Sequence, residues 1–189
     1  NITFVGFILD ITYISYMVTA GLFFLFRRNN LNKHAVLILL YTLYSFMNDI
    51  AIENQLFTSS NSPEFTNALL LSLFTIIEFF VLLFYIYSLL SSRKLKVFLL
   101  VCSFLFCFVA FLNLYKTIVA KTPSLDTIPI AMSSLTLISG SIFYLFETIQ
   151  KPEITFVYSK PSFWVVVGVM IYFAGTFFLF LQFDSLSPV

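Results

Sequence analysis

The chain has 189 residues, of which 60% are hydrophobic and only 10% charged. Soluble domains run at about 45–50% apolar and about 25% charged, so a soluble globular domain is excluded, as are a secreted disulfide scaffold and a disordered tail. Ten basic residues against nine acidic leave a net charge of +1, too even a balance for a nucleic-acid-binding surface.

The mean hydropathy is +0.98, and the apolar runs are continuous rather than alternating, which argues against a transmembrane β-barrel. The expectation is an all-α fold: a polytopic transmembrane helical bundle of six helices, forming a single domain over residues 1–189. Six apolar segments can be drawn, each near the length of about 20 residues that a helical span requires. They are Thr3–Phe26, Ala35–Ile52, Pro63–Leu90, Leu95–Tyr115, Thr127–Ile149 and Pro161–Phe183. The breaks carry helix punctuation. Ser62-Pro63-Glu64 reads as an N-cap, a first-turn proline and a first-turn acid, which suits the exposed amides and positive end of a helix. Asp126 is a second capping candidate, with Pro129 inside the first turn that follows. Pro161 opens the sixth segment in the same manner. No internal repeat or separate soluble domain is visible.

Loop charge orients the bundle. The odd-numbered loops hold Arg27, Arg28, Lys33, Arg93, Lys94, Lys96, Lys151 and Lys160, whereas the even-numbered loops hold only Lys116 and Lys121. Basic loops stay in the cytoplasm, which places the N-terminus outside and, after six helices, the C-terminus outside as well. The chain starts at Asn1 without an initiator methionine. It is expected to be a fragment, with a seventh helix following Val189. Trp164, Tyr158 and Tyr115 fall near segment ends, where aromatic rings anchor a bundle at the membrane interface. Gly168 and Gly175, seven residues apart, and the small patch Ser139-Gly140-Ser141 are expected to admit neighbouring helices closely.

Charged groups in hydrocarbon are costly and so direct attention to function. Glu78 lies near the middle of the third segment, Asp10 two turns into the first, and Asp49 near the outer end of the second. No lysine or arginine lies inside a segment to pair with them. Depth alone allows a shared, outward-opening acidic pocket for a small ligand, lined by Glu78, Asp10 and Asp49 with Tyr13, Tyr16, Tyr44 and Ser133. The competing reading is that Glu78 bonds a hydroxyl on a facing helix and fixes packing, while the two aspartates face water. Glu147 is expected to pair with Lys151, four residues on, in a surface ion pair of little consequence.

Catalytic signatures are sparse. The lone His34 sits beside Lys33 in a basic loop and reads as solvated. No His-Glu-x-x-His run, nucleophile elbow or phosphate-cradling glycine loop occurs. Cys102 and Cys107 sit five residues apart, about 140° around one helix, out of disulfide reach. Neither an enzyme, nor a metal site, nor a cofactor is expected.

The sixth segment, Pro161-Ser162-Phe163-Trp164, then Gly168, then Ile171-Tyr172-Phe173-Ala174-Gly175-Thr176-Phe177-Phe178, resembles the late helix of bacterial multi-helix membrane proteins. Some of these form the membrane region of sensor histidine kinases. Ile77-Glu78-Phe79 and the run Asp126-Thr127-Ile128-Pro129 are similar to that group too. The resemblance implies a bacterial inner-membrane location and a seventh helix leading to a cytoplasmic output. It implies no catalytic residue in this chain. Three functions are therefore weighed. The first is a membrane sensing module that passes a helix shift to a cytoplasmic partner. The second is an accessory subunit of a respiratory or secretory membrane complex. The third is a small proton-coupled carrier, against which stand the missing inverted repeat and the absence of broken helix pairs. Expected partners are membrane lipids and another membrane or cytoplasmic protein, with no nucleic acid.

Overall fold

A computed structural model describes residues 33–53, 63–120, 127–150 and 157–186. Five α-helices account for nearly all of them: α1 (Lys33–Glu53), α2 (Pro63–Leu89), α3 (Arg93–Ala120), α4 (Thr127–Ile149) and α5 (Pro161–Leu186). A short 3₁₀ turn, Val157–Ser159, precedes α5. Among the described residues there is no strand. Four stretches are long and apolar enough to cross a membrane: Leu69–Leu89, Arg93–Val119, Ile128–Ile149 and Pro161–Phe178. The described residues are thus helical almost throughout, and four of their helices are of membrane-spanning character. The second expected span does form a helix, α1, whose described apolar stretch, Val36–Ile50, is shorter. The first expected span lies outside the described residues.

The chain divides into two compact units, one up to Leu70 and one from Leu71 onward. In the first, α1 carries Tyr44 and Asp49, both half-buried, and the buried Ser45. The Thr42 hydroxyl donates to the Ile38 carbonyl one turn back, at 2.9 Å.

In the second unit, α4 is the central element. Half of its apolar stretch is buried, against 11% for α5. It packs along α5 most extensively and along α3 next. Its composition explains this position, because Ser133, Ser134, Thr136, Gly140 and Ser141 give it a slim face that neighbouring helices approach closely. Each small hydroxyl is satisfied within the helix itself. Ser133 and Ser134 both donate to the Ile130 carbonyl at 2.8 Å. Thr136 donates to Met132 and Ser141 to Leu137 at the same distance. Back-bonding of this kind lets a polar side chain sit in a dry interior without an unmet hydrogen bond.

Gly140 marks where three helices meet, since a Cβ there would stand 3.3 Å from Ile86 of α2 and 3.3 Å from Leu99 of α3. Ile86, Leu99 and Leu137 are fully buried around it. One interval toward the middle of α3, the rings of Phe79 and Phe106 stack at 4.0 Å between centroids, tilted by 35°. The expectation of close packing therefore holds at Gly140. It does not hold at Gly168 and Gly175, where an added Cβ would meet nothing within 4 Å. The cause is helix phase: α5 turns Val166 and Phe173 inward, which leaves both glycines on the opposite, exposed side.

Candidate functional site

The buried face of α2 carries Ser72, Thr75 and Glu78 at three-residue steps, followed by the fully buried Phe79. Glu78 is only 7% exposed, in the middle of an apolar stretch whose neighbours Ile77 and Phe80 point outward. A carboxyl at that depth requires a partner, and Glu78 has one within the structure. Thr75, one turn before it, donates its hydroxyl to the Leu71 carbonyl at 3.0 Å. Its oxygen lone pairs stay available to accept.

Where α2 passes Ser72 and Thr75, a small cleft opens between three helices. Ser72, Thr75 and Ile76 of α2 line it with Ala110, Asn113 and Leu114 of α3 and Pro129 of α4. It encloses about 10 Å³, roughly the space of one water molecule. Its geometry follows from local chemistry. Pro129 in the first turn of α4 has no N–H to offer and needs no acceptor, so the helix start can lie against apolar neighbours. Asn113 holds the other wall, its carbonyl accepting the Thr117 hydroxyl at 3.1 Å. Its walls are almost wholly apolar, and an organic ligand does not fit here in this conformation.

The opposite end of the same unit holds a second polar cluster. Leu90, Ser91 and Ser92 connect α2 to α3. The Ser92 carbonyl accepts the Lys96 amide at 3.2 Å, which makes Ser92 the N-cap of α3. The amides of Ser91 and Ser92 would be orphans at such a helix start. Instead, both donate to the carboxylate of Glu147 in the last turn of α4, one to each oxygen, at 2.7 Å and 2.7 Å. Bonds of this length to a carboxylate are charge-assisted and strong. The carboxylate also meets an electrostatic need. Arg93, Lys94 and Lys96 crowd the positive end of α3, where cations are unfavourable and an anion is favourable. Lys96 turns its ammonium over the Tyr87 ring, 5.1 Å from the centroid, a cation–π placement.

One turn earlier on α4, the Tyr144 hydroxyl bonds the Ser162 hydroxyl of α5 at 2.9 Å. The Thr148 hydroxyl returns to the Tyr144 carbonyl at 2.7 Å. The last turn of α4 thereby grips the α2–α3 connection on one side and the start of α5 on the other. The 3₁₀ turn hands the chain into α5, with Lys160 donating to Val157 at 3.3 Å and Phe163 to Lys160 at 3.0 Å.

Of the residues singled out from sequence, Asp10, Tyr13 and Tyr16 lie outside the described residues. Tyr44 and Asp49 belong to the first unit and Glu78 and Ser133 to the second. Ser133 is buried with its hydroxyl committed to Ile130. Glu147 was expected to form a surface pair with Lys151, which lies outside the described residues. Its two oxygens accept two backbone amides from more than fifty positions away. Nothing in the local sequence announces this contact, because the donors are main-chain groups. The one available signal was a start for α3 rich in cations and without an acid of its own. Cys102 and Cys107 are both free thiols. Among the described residues, no three histidine, cysteine or acidic side chains come together as a metal site would need.

No family model, curated protein or solved structure matches this chain.

Proposed function

We propose that this chain is a membrane-embedded sensing module without catalytic chemistry of its own, and that it passes a helix shift to a cytoplasmic partner. The observation that carries this reading is Glu78, a carboxyl held on the buried face of a membrane-spanning helix with Ser72 and Thr75 leading from it toward a water-sized cleft. A carboxyl is a costly group to keep in a membrane-spanning helix, which supports a role for it beyond filling the bilayer. The stimulus suited to a carboxyl in this position is a proton or a small cation. In the full arrangement proposed here, six helices span a bacterial inner membrane with the N-terminus outside and the odd-numbered loops cytoplasmic. Asp10, Asp49, Tyr13 and Tyr44 then extend the polar set in the outer half of the bilayer.

Trp164, the single tryptophan, provides a built-in reporter. It lies 60% exposed in the first turn of α5, two residues beyond the Ser162 that Tyr144 holds. The test reconstitutes the protein in lipid vesicles and follows Trp164 emission while external pH and monovalent cation concentration are varied. The expected result is a saturable emission change that Glu78→Gln abolishes while leaving the helical circular dichroism intact. An unresponsive wild-type protein, or a response that Glu78→Gln leaves unchanged, sinks the reading.

A second reading, an accessory subunit of a larger membrane complex, draws on a different observation. α3 and α5 bury only 22% and 11% of their apolar stretches, leaving broad surfaces for lipid or for another membrane protein. Stoichiometric recovery of a defined membrane partner from native membranes in mild detergent favours this second reading over the first.

A further inference from the structure

The start of α3 has an outward face that neither polar cluster uses. Arg93 and Lys94 are both exposed, and among the described residues neither forms an ion pair. Among the described residues at this end of the second unit, Glu147 is the one acid. Its two oxygens are engaged by the Ser91 and Ser92 amides. Lys96, by contrast, is half-buried and turns its ammonium over the Tyr87 ring. The difference is helix phase. At about 100° per residue, Val97, Val101, Phe104 and Phe108 all fall in the sector between Arg93 and Lys94. All four are more than half exposed, Phe104 reaching 75%. The buried Leu99 and Phe106 lie on the other side of the helix, and Lys96 lies outside the sector too.

We propose that this face of α3 binds one anionic phospholipid, its phosphate at Arg93 and Lys94 and an acyl chain along Val97, Val101, Phe104 and Phe108. Length and charge both fit this occupant. Arg93 lies eleven residues before Phe104, about 16 Å along a helix. That is about half of a hydrocarbon core roughly 30 Å thick, the depth that one leaflet's acyl chains fill. The cations therefore stand at headgroup level when the rings below them lie among the chains. A guanidinium offers parallel N–H donors to the two free oxygens of a phosphate diester, and the neighbouring ammonium adds a second positive charge. The positive end of α3 contributes in the same sense. A zwitterionic headgroup already sets an ammonium against its own phosphate, so two protein cations gain less from it than from an anionic one. A protein helix covering this face would have to bring its own acids to Arg93 and Lys94, whereas an anionic lipid carries the charge and the apolar chain together. The sensing reading plays no part in this inference, which rests only on α3 lying in a bilayer.

The test uses the whole chain in lipid vesicles, with a single tryptophan on this face: Phe104→Trp in a Trp164→Phe background. The vesicles mix phosphatidylcholine and phosphatidylglycerol of equal chain length, and one of the two carries bromine at mid-chain, which quenches a tryptophan it touches. Quenching against composition returns the relative affinity of the two lipids beside Phe104→Trp. Phosphatidylglycerol is expected to be preferred by about threefold or more, as two basic side chains at an anionic headgroup imply. Arg93→Gln combined with Lys94→Gln is expected to bring the preference to unity. Lys160→Gln removes a cation from the same end of the unit but from α5, and is expected to leave the preference in place. Equal affinity for the two lipids in the parent overturns the proposal, as does a preference that survives loss of both α3 cations. A fall after Lys160→Gln as large as that after the α3 pair also overturns it, since anionic lipid would then gather at the whole end without a site. Absence of quenching by either lipid does so too, because a partner protein or a second copy of the chain would then cover this face. Arg93 and Lys94 are exposed, so their removal is expected to leave the helical circular dichroism intact, and the parent measurement decides even without them.

Discussion

A Cβ on Gly140 would stand 3.3 Å from a terminal methyl of Leu99, closer than ordinary van der Waals contact. The absence of a side chain at one residue thus sets how near α4 lies to α3. An equal distance to Ile86 does the same for α2. Both neighbours are fully buried, so neither can swing away into open space.

Substitution at this position separates two opposing effects. Alanine favours a helix over glycine by about 1 kcal/mol, while its methyl presses on the γ2 methyl of Ile86 and a terminal methyl of Leu99, each of which must give by a few tenths of an ångström. Gly140→Ala is expected to leave stability within about 1 kcal/mol of the parent. Gly140→Leu has no such compensation and is expected to cost about 1–3 kcal/mol through overpacking. Thermal unfolding in detergent, followed by the loss of monodisperse protein on size exclusion, measures both. A leucine variant as stable as the parent would mean that the three helices do not meet as closely as described.

Phe106 and Phe104 are two positions apart on α3 and differ in almost everything else. Phe106 is fully buried against Phe79, whereas Phe104 is 75% exposed. Truncating a buried phenylalanine costs about 3–5 kcal/mol in water-soluble cores. Within a bilayer the separated helices face lipid rather than water, so the loss is mainly of packing, and Phe106→Ala is expected to cost about 2 kcal/mol. Phe104→Ala is expected to stay within about 0.5 kcal/mol, as substitutions at exposed positions do. Parallel denaturation in mixed micelles compares the two, and equal losses would contradict the rotation of α3.

How far these relationships were legible in the sequence depended on what carries the signal. The start of α4 at Thr127 and its end at Ile149 agree with the hydropathy reading, because polar and proline-bearing segments flank it on both sides. α3 runs from Arg93 to Ala120, longer at each end than the expected Leu95–Tyr115. Hydropathy registers transfer into hydrocarbon, whereas helical hydrogen bonding continues past Lys94 and Lys116 into polar surroundings. Glu78 was conspicuous as an acid amid apolar neighbours, and its burial follows from the phase of α2. Glu147 was read as a surface residue because its nearest cation in sequence, Lys151, was the obvious partner. The partners described for it are amides, present at every residue except proline and so invisible in a sequence. The glycines of α5 show the complementary difficulty. Spacing places Gly168 and Gly175 on one face, but only the phase of α5 against α4 decides which way that face points.

The basic residues of the Ser91 turn and of α3 lead to a prediction about orientation. Lys94 and Lys116 stand at opposite ends of α3, both exposed. If basic loops are retained in the cytoplasm, Lys94→Cys and Lys116→Cys in a background of Cys102→Ala and Cys107→Ala will be labelled from opposite sides. A membrane-impermeant maleimide applied to intact cells is expected to reach Lys116→Cys and to spare Lys94→Cys until the membrane is permeabilised. Labelling of Lys94→Cys in intact cells reverses the orientation and places the bonds of Glu147 to Ser91 and Ser92 on the outer side. Labelling of both would mean that α3 does not cross the bilayer.

The bond between Tyr144 and Ser162 is the tie from the last turn of α4 to the start of α5, and it is neutral. Tyr144→Phe removes one hydroxyl from a buried ring and keeps the packing, so the expected loss is about 0.5–1.5 kcal/mol. Ser162→Ala removes the other partner, at a position only half-buried, and is expected to cost no more. If the bond fixes the start of α5, both variants will shift Trp164 emission in the same direction and increase its quenching by iodide. The double variant will then add little to either single change. A double-mutant cycle on unfolding free energy should return a coupling of about 0.5–1.5 kcal/mol, since two groups that only meet each other lose that interaction once. Fully additive effects would show that the hydroxyls act separately, and the grip of α4 on α5 would then rest on the apolar packing of Val166 and Phe173 alone.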